Sequence, residues 1–350
     1  MLNTIIYFAG SAKLSVDRWL QEQHMARLMS QLNDRNLIPR WVRFQREEYA
    51  DAKVFIDSGA YSAYTKGKEV DVDAYIDYLN NYGDALTIMA QVDFIPGKSN
   101  VEQDPEIYTK APAFSWENYL YMHQRLKPEL RDKLIPVFHQ GEDFKWLLNM
   151  INWVDPETGK HMPYIGISPH TEVASENRLK FCKQVFHVIR QSENPQVKTH
   201  GFGMTALHLL KWIPFTSVDS TTWLQSAIHG QLLIIKGGKL SPMIVSERML
   251  HVDDHFVYQS PAVQEAIIRQ VKERGFDPQA ILDLREKALP KSQRMAATDD
   301  LIDENDVSGV GENLTNSISE RQQFNALTMM HYLKTTEFEG LPKRARRIGG

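Results

Sequence analysis

Short apolar runs alternate with longer amphipathic stretches over the first two thirds of the chain. The apolar runs are "TIIYFAG" (4–10), "VFIDSGA" (54–60), "ALTIMAQVDFI" (85–95), "LIPVFHQG" (134–141), "YIGISP" (164–169), "VKTHGFG" (197–203), "FTSVDS" (215–220) and "LLIIKGG" (232–238). Each has strand length and most are rich in β-branched residues. Between them the apolar positions recur at helical spacing. Val72, Tyr75, Ile76 and Leu79 share a face before Gly83, and Phe144, Leu147, Leu148 and Ile151 share another. Cys182, Val185, Phe186 and Ile189 form a third such face, which makes Cys182 a core residue rather than a reactive thiol.

Strands alternating with helices imply a parallel sheet, and eight strand candidates imply a closed (β/α)8 TIM-like barrel of the α/β class. An open doubly wound sheet is the alternative. No G-x-G-x-x-G or G-x-x-x-x-G-K-[ST] stretch occurs, which removes the main support for a nucleotide-binding version of it. After residue 240 the pattern becomes helical. Ser260 and Pro261 open one helix that stops at Gly275, "DPQAILDLREKAL" is another, and a last one spans about 317–334. The expected organisation is a catalytic barrel with terminal helices over 1–290, an acidic flexible linker over 291–316, and a C-terminal helix with a basic tail over 317–350.

Composition narrows this picture. The 350 residues carry a net charge of −4, so bulk electrostatics announce no nucleic-acid partner and leave only local basic patches as candidates. The single cysteine excludes an internal disulfide and a multi-cysteine zinc site. No secretory leader and no run of about 20 apolar residues is found, so a soluble cytoplasmic protein without membrane association is expected.

The candidate chemistry lies at the strand ends. Asp57, Asp93, His139 with Gln140, Gly166, His200 with Gly201, and Asp219 each close an apolar run. In a barrel these ends ring one mouth, where catalytic groups gather. One aspartate after a strand also serves as a helix cap, but matching carboxylates from distant strands point to a site. Carboxylates crowded in one mouth repel, so at least one carries a raised pKa or a hydrogen-bonded partner. Such a pair suits chemistry at a glycosidic carbon, one acid attacking and the other moving a proton. Small residues beside Asp57 leave room for a flat ligand.

These residues carry a resemblance to the tRNA-guanine transglycosylases. "FIDSGAYSAY" resembles their D-S-G-G-F/Y-Q segment, and "SVDSTTWLQSAIHG" resembles their F-D-C-V-x-P-T-R-x-A-R-x-G segment. "QVDFIPG", "FHQGE" and "YIGISPH" are similar to their D-E-C, V-Q-G-G and G-G-L-A-V-G segments, in the family's order, over about 54–230. The family's zinc motif is missing, and Trp223, Gln225 and Ile228 stand where it has arginines that meet tRNA. That combination resembles compact phage relatives that exchange guanine in DNA for a 7-deazaguanine.

The resemblance implies a glycosyltransferase without cofactor or metal, with Asp219 as nucleophile and Asp57 as general acid/base. It implies that Asp93, Gln140, Gly141, Gly166, His200 and Gly201 bind the base. Ser58 and Gly59 lie beside it, and Tyr61 stacks on it. Its implied partners are DNA, or alternatively tRNA, and a free 7-deazaguanine base, with a homodimer as the family's frequent state. A phage-encoded version would work in the host cytoplasm. Phosphates would meet Arg40, Arg43 and Arg46, interleaved with Trp41 and Phe44, and Lys343, Arg344, Arg346 and Arg347 of the tail. The competing readings are a metal-dependent barrel hydrolase of a small molecule, using His139, His170, His200 or the "HVDDH" pair His251 and His255, and a catalytically inert barrel that binds DNA.

Overall fold

The computed structural model describes residues 2–10, 12–95, 105–170, 174–204, 206–298, 301–303 and 311–340. The chain forms two compact units, residues 3–220 with 338–350, and residues 221–337 with 1–2.

The first unit is built on nine parallel strands: β1 (Ile5–Phe8), β2 (Ala26–Ser30), β3 (Val54–Asp57), β4 (Ile88–Ala90), β5 (Leu134–Ile135), β6 (Val137–His139), β7 (Tyr164–Ser168), β8 (Lys198–Gly201) and β9 (Ser217–Ser220). Their lateral order is β5-β4-β3-β2-β1-β9-β8-β7-β6. Only Pro136 separates β5 from β6. Proline has no N–H to give the ladder, yet its carbonyl still accepts the Gly166 N–H at 2.8 Å. The two sheet ends are therefore one strand, and the sheet closes as an eight-stranded barrel. Helices including Ile38–Glu47, Val72–Tyr82, Pro105–Arg125, Phe144–Asn152 and Ser175–Gln191 return the chain from each carboxyl end.

Side-chain alternation divides each strand. Tyr7, Ala26, Leu28, Phe55, Ile88, Ala90 and Ile135 fill the barrel interior together with Ile5, Tyr164 and Phe202. Continuing the same alternation toward the carboxyl ends puts Ser30, Asp57, His139 and Asp219 on the inward face, above the apolar layers.

The strand count was right for a partly wrong reason. β2, "ARLMS", contains no β-branched residue and has an arginine at its second position, so its sequence carries little strand signal. Arg27 is fully buried on the outward face of β2. Its Nε donates to Asp17 Oδ1 at 2.6 Å, and its terminal nitrogens donate to the carbonyls of Phe8 and Gly10. Conversely, "LLIIKGG" is no barrel strand. It forms β10 (Gln231–Lys236), which pairs antiparallel with β11 (Lys239–Ile244) in the second unit. Gly237 and Gly238 make the two-residue turn, with φ of 57° and 71°. Positive φ at both central positions is what a tight hairpin needs.

The second unit packs this hairpin against the helices Pro261–Glu273 and Ile318–Thr335, around Leu232, Ile234, Val245, Phe256, Ile267 and Phe324. Parts of the expected linker are packed core here. Asp303 is buried, accepts from Ser246 Oγ at 2.7 Å and pairs with the fully buried Arg321 at 2.8 Å. Leu314 is buried as well. A polar segment reads as linker from composition, but its charge is matched by a partner distant in sequence. Among the described residues no helix is long and apolar enough to cross a membrane.

Candidate active site

Asp57 is the last residue of β3, two positions beyond Phe55, and so shares the inward face. Gly59 follows in the left-handed region, with φ of 79°, and its N–H turns back to Asp57 Oδ2 at 3.1 Å. A Cβ on Gly59 would lie 2.6 Å from the Cβ of Leu32, so the turn that holds Asp57 requires glycine. Burial pushes the Asp57 carboxyl up to about 7. The Gly59 N–H works against this rise, and the charges of Asp93 and Asp219 add to it. Two carboxylates carried on remote parts of the chain thus act on Asp57 inside one mouth.

Asp219 sits on β9, two positions beyond Ser217, and is buried. Its Oδ1 accepts the Gly203 N–H at 2.9 Å and meets His200 Nε2 at 3.2 Å. Oδ2 has no hydrogen bond to any described residue. One oxygen of the carboxylate is held by two partners, while the other is left without one among the described residues.

A third group flanks these two. Asp93 Oδ1 accepts from Gln91 Nε2 at 2.7 Å, and Asp93 Oδ2 lies 3.3 Å from His139 Nε2. His139 Nδ1 lies 3.0 Å from Glu142 Oε1. Burial disfavours charge on His139, but Asp93 and Glu142 outweigh it and lift the imidazole to about 10. The ring is an imidazolium with both N–H groups given to carboxylates. It keeps no lone pair for a metal ion, which counts against the hydrolase reading of His139. The same reading fails at "HVDDH". His255 is buried, its Nε2 lies 3.2 Å from the Ser246 carbonyl, and its Nδ1 accepts the Val257 N–H. Burial lowers it to about 4. Among the described residues no cluster of metal-ligating side chains forms.

The remaining expected residues divide. Tyr61 is 67% exposed, just beyond the carboxyl end of β3, and free to meet a ligand. Gln140 uses Oε1 to accept the His170 N–H at 3.0 Å, which leaves its amide nitrogen to donate. Gly141 is exposed and left-handed, with φ of 103°. Four expectations are corrected. The Gly166 amide is committed to Pro136 in the sheet, and a Cβ there would lie 2.6 Å from the Phe202 ring, so the glycine makes room for Phe202. Gly201 faces Met204 and Phe215, outside the barrel interior. Ser58 is buried, with its hydroxyl 3.4 Å from the Ala60 N–H. His200 is fully buried beneath Asp219 and reaches no ligand.

The basic helix Ile38–Glu47 is also corrected in part. Trp41 and Val42 are core, so Trp41 offers no face to a base. Arg43 lies over the Phe44 ring at 5.7 Å. Arg46 pairs with Asp84, its Nε 3.0 Å from Oδ2. Asp84 precedes β4, at the amino end of the barrel, so Arg46 lies at the opposite end from the mouth. Arg40, nearer the helix start, is exposed. Lys343, Arg344, Arg346 and Arg347 lie outside the described residues.

Sequence reasoning missed Gln91, Glu142, Gly203, Ser217 and Tyr164. A period-two reading reaches two of them, since Ser217 precedes Asp219 by two and Tyr164 precedes Gly166 by two. Compared with known proteins, the chain matches no family model and no curated protein.

Proposed function

We propose that this protein exchanges guanine in DNA for a free 7-deazaguanine base through a covalent glycosyl–aspartate intermediate. The observation that carries the reading is the contrast between two carboxylates in one mouth. Asp57 titrates near 7, and Asp219 has one oxygen pinned by two donors and the other free. Paired acids with separated roles are what retaining chemistry at an anomeric carbon uses.

Asp219 Oδ2 attacks C1′ of a deoxyguanosine, and the C1′–N9 bond breaks with its electron pair going to the base. Protonated Asp57 gives its proton to the departing guanine. The incoming 7-deazaguanine then loses its N9 proton to Asp57 and forms the new C1′–N9 bond, and Asp219 leaves as a carboxylate. Two inversions retain the configuration, and one proton passes into and out of Asp57. A carboxyl titrating near the working pH suits both halves. Asp93, paired with His139, accepts donors from the purine edge, and the Gln140 amide nitrogen donates to its carbonyl.

DNA is favoured over tRNA because the arginine-bearing positions of the resembling segment hold Gln225 and Ile228, neither of which carries a charge for a tRNA phosphate. Tyr61 offers a stacking face for a base drawn out of the helix. The test is incubation of the purified protein with duplex DNA, single-stranded DNA or tRNA, plus labelled guanine or 7-deazaguanine, followed by nucleoside mass spectrometry. Label in DNA that disappears with Asp219→Asn supports the proposal. Label in tRNA alone reverses the substrate, and exchange by Asp219→Asn removes the nucleophile.

A further inference from the structure

Beneath Asp219 lies a line of polar groups that the exchange chemistry does not touch. The Tyr164 hydroxyl on β7 lies 2.6 Å from Ser217 Oγ on β9. Ser217 Oγ lies 2.6 Å from His200 Nδ1 on β8, and His200 Nε2 lies 3.2 Å from Asp219 Oδ1. Strands β7, β8 and β9 are neighbours in the barrel, and all four side chains point inward. Ser217 and His200 are fully buried. The rings of Phe55, Phe202 and Tyr7 stand edge-on around the imidazole, with centroids at 4.5, 4.6 and 5.9 Å. The imidazole therefore has two polar neighbours and otherwise an aromatic wall.

We propose that this chain is directional and makes His200 a positioning residue for Asp219. The inference rests on the reading of Asp219 as nucleophile. A carboxylate only accepts, so His200 Nε2 carries the hydrogen. A neutral imidazole then has a bare Nδ1, which accepts the Ser217 O–H. The Ser217 oxygen in turn accepts the Tyr164 O–H. Reversing any link sets two acceptors face to face in a buried site, which costs the full desolvation of both. Burial keeps the imidazole below the ordinary histidine range, against the pull of Asp219, and so favours the neutral form the chain requires. The result is an N–H that joins the Gly203 amide on Oδ1 and turns Oδ2 toward the sugar. The donor reaches the carboxylate from below, through the barrel core.

The experiment has a spectroscopic arm and a kinetic arm. Nitrogen-15 spectra of the imidazole in the full-length wild type are expected to show one neutral tautomer for His200, hydrogen on Nε2. An imidazolium or an Nδ1–H tautomer overturns the proposal. In the exchange assay, His200→Phe keeps the bulk and removes the donor, and kcat is expected to fall about 100-fold, as when one preorganised donor is lost, with KM within about twofold. His200→Gln returns an N–H near Nε2 and is expected to recover most of that loss. If the phenylalanine variant does not fold, Ser217→Ala serves, with an expected drop in kcat of about tenfold from the unpaired Nδ1. Unchanged kcat in the folded variants overturns the positioning role while leaving Asp219 as nucleophile. No exchange by the wild type on any nucleic acid sinks the nucleophile reading, and the proposal with it.

Discussion

Asp57→Asn separates the two roles of the carboxyl that the barrel holds near neutrality. Burial raises Asp57 from 3.8 to about 7. At about 1.4 kcal/mol per pH unit, this sets roughly 4 kcal/mol against its ionised form in the folded state. The sign follows from proton binding. A carboxyl with a raised folded pKa stabilises the fold fully below the unfolded pKa, and that stabilisation is lost as pH rises through the folded one. Between pH 5 and pH 8 the wild type therefore loses stability that the asparagine variant, uncharged in both states, keeps. Asp57 is partly open to solvent at the mouth, and screening reduces the figure. The variant is expected to gain about 1–3 kcal/mol over the wild type between pH 5 and pH 8. Urea unfolding midpoints at the two values measure it. The same variant is expected to lose base exchange at both values, because asparagine neither gives nor takes the proton. A stability difference that does not change with pH, or one of opposite sign, would refute the raised carboxyl and with it the assignment of Asp57.

Three further outcomes follow from the placement of other side chains. Tyr61→Ala is expected to weaken nucleic-acid binding by about 1–3 kcal/mol without lowering the melting temperature, since the ring is exposed and its contribution is stacking; filter binding and calorimetry check the pair. Arg46→Ala is expected to leave DNA affinity unchanged and stability within about 1 kcal/mol, because it pairs with Asp84 at the surface of the barrel's amino end. Arg27→Met is expected to destabilise the barrel by about 3–5 kcal/mol in denaturant unfolding, because it leaves Asp17 buried without its cation and frees the carbonyls of Phe8 and Gly10.

The barrel was legible wherever apolar strands met helical periodicity, as at Val54–Asp57 and Tyr164–Ser168. It was illegible at Ala26–Ser30, where strand formation rests on burying Arg27 against Asp17, a pairing that no local pattern encodes. The hairpin at Gly237–Gly238 was written in the sequence as a two-residue glycine turn, but its apolar flank reads equally as a barrel strand. At the site, the strand-end rule brought Asp57, Asp93 and Asp219 together, since position along a strand fixes which rim a residue occupies. It did not say which strand-end groups face inward. Gly201 and Ser58 face away, and the Gly166 amide is spent in the ladder. Nor did it reveal His200 as a support beneath the carboxylate, because depth in the barrel depends on the rings packed around it.

The most direct measurement of the central claim is chemical capture of the intermediate. The protein is mixed with guanine-containing DNA, quenched in denaturant before free base is added, digested and mapped by mass spectrometry. A deoxyribosyl ester on the peptide carrying Asp219, absent in Asp219→Asn and depleted in a parallel sample given a 7-deazaguanine before the quench, is the predicted result. Base exchange that proceeds with no adduct on Asp219, or with an adduct on another residue, would contradict it.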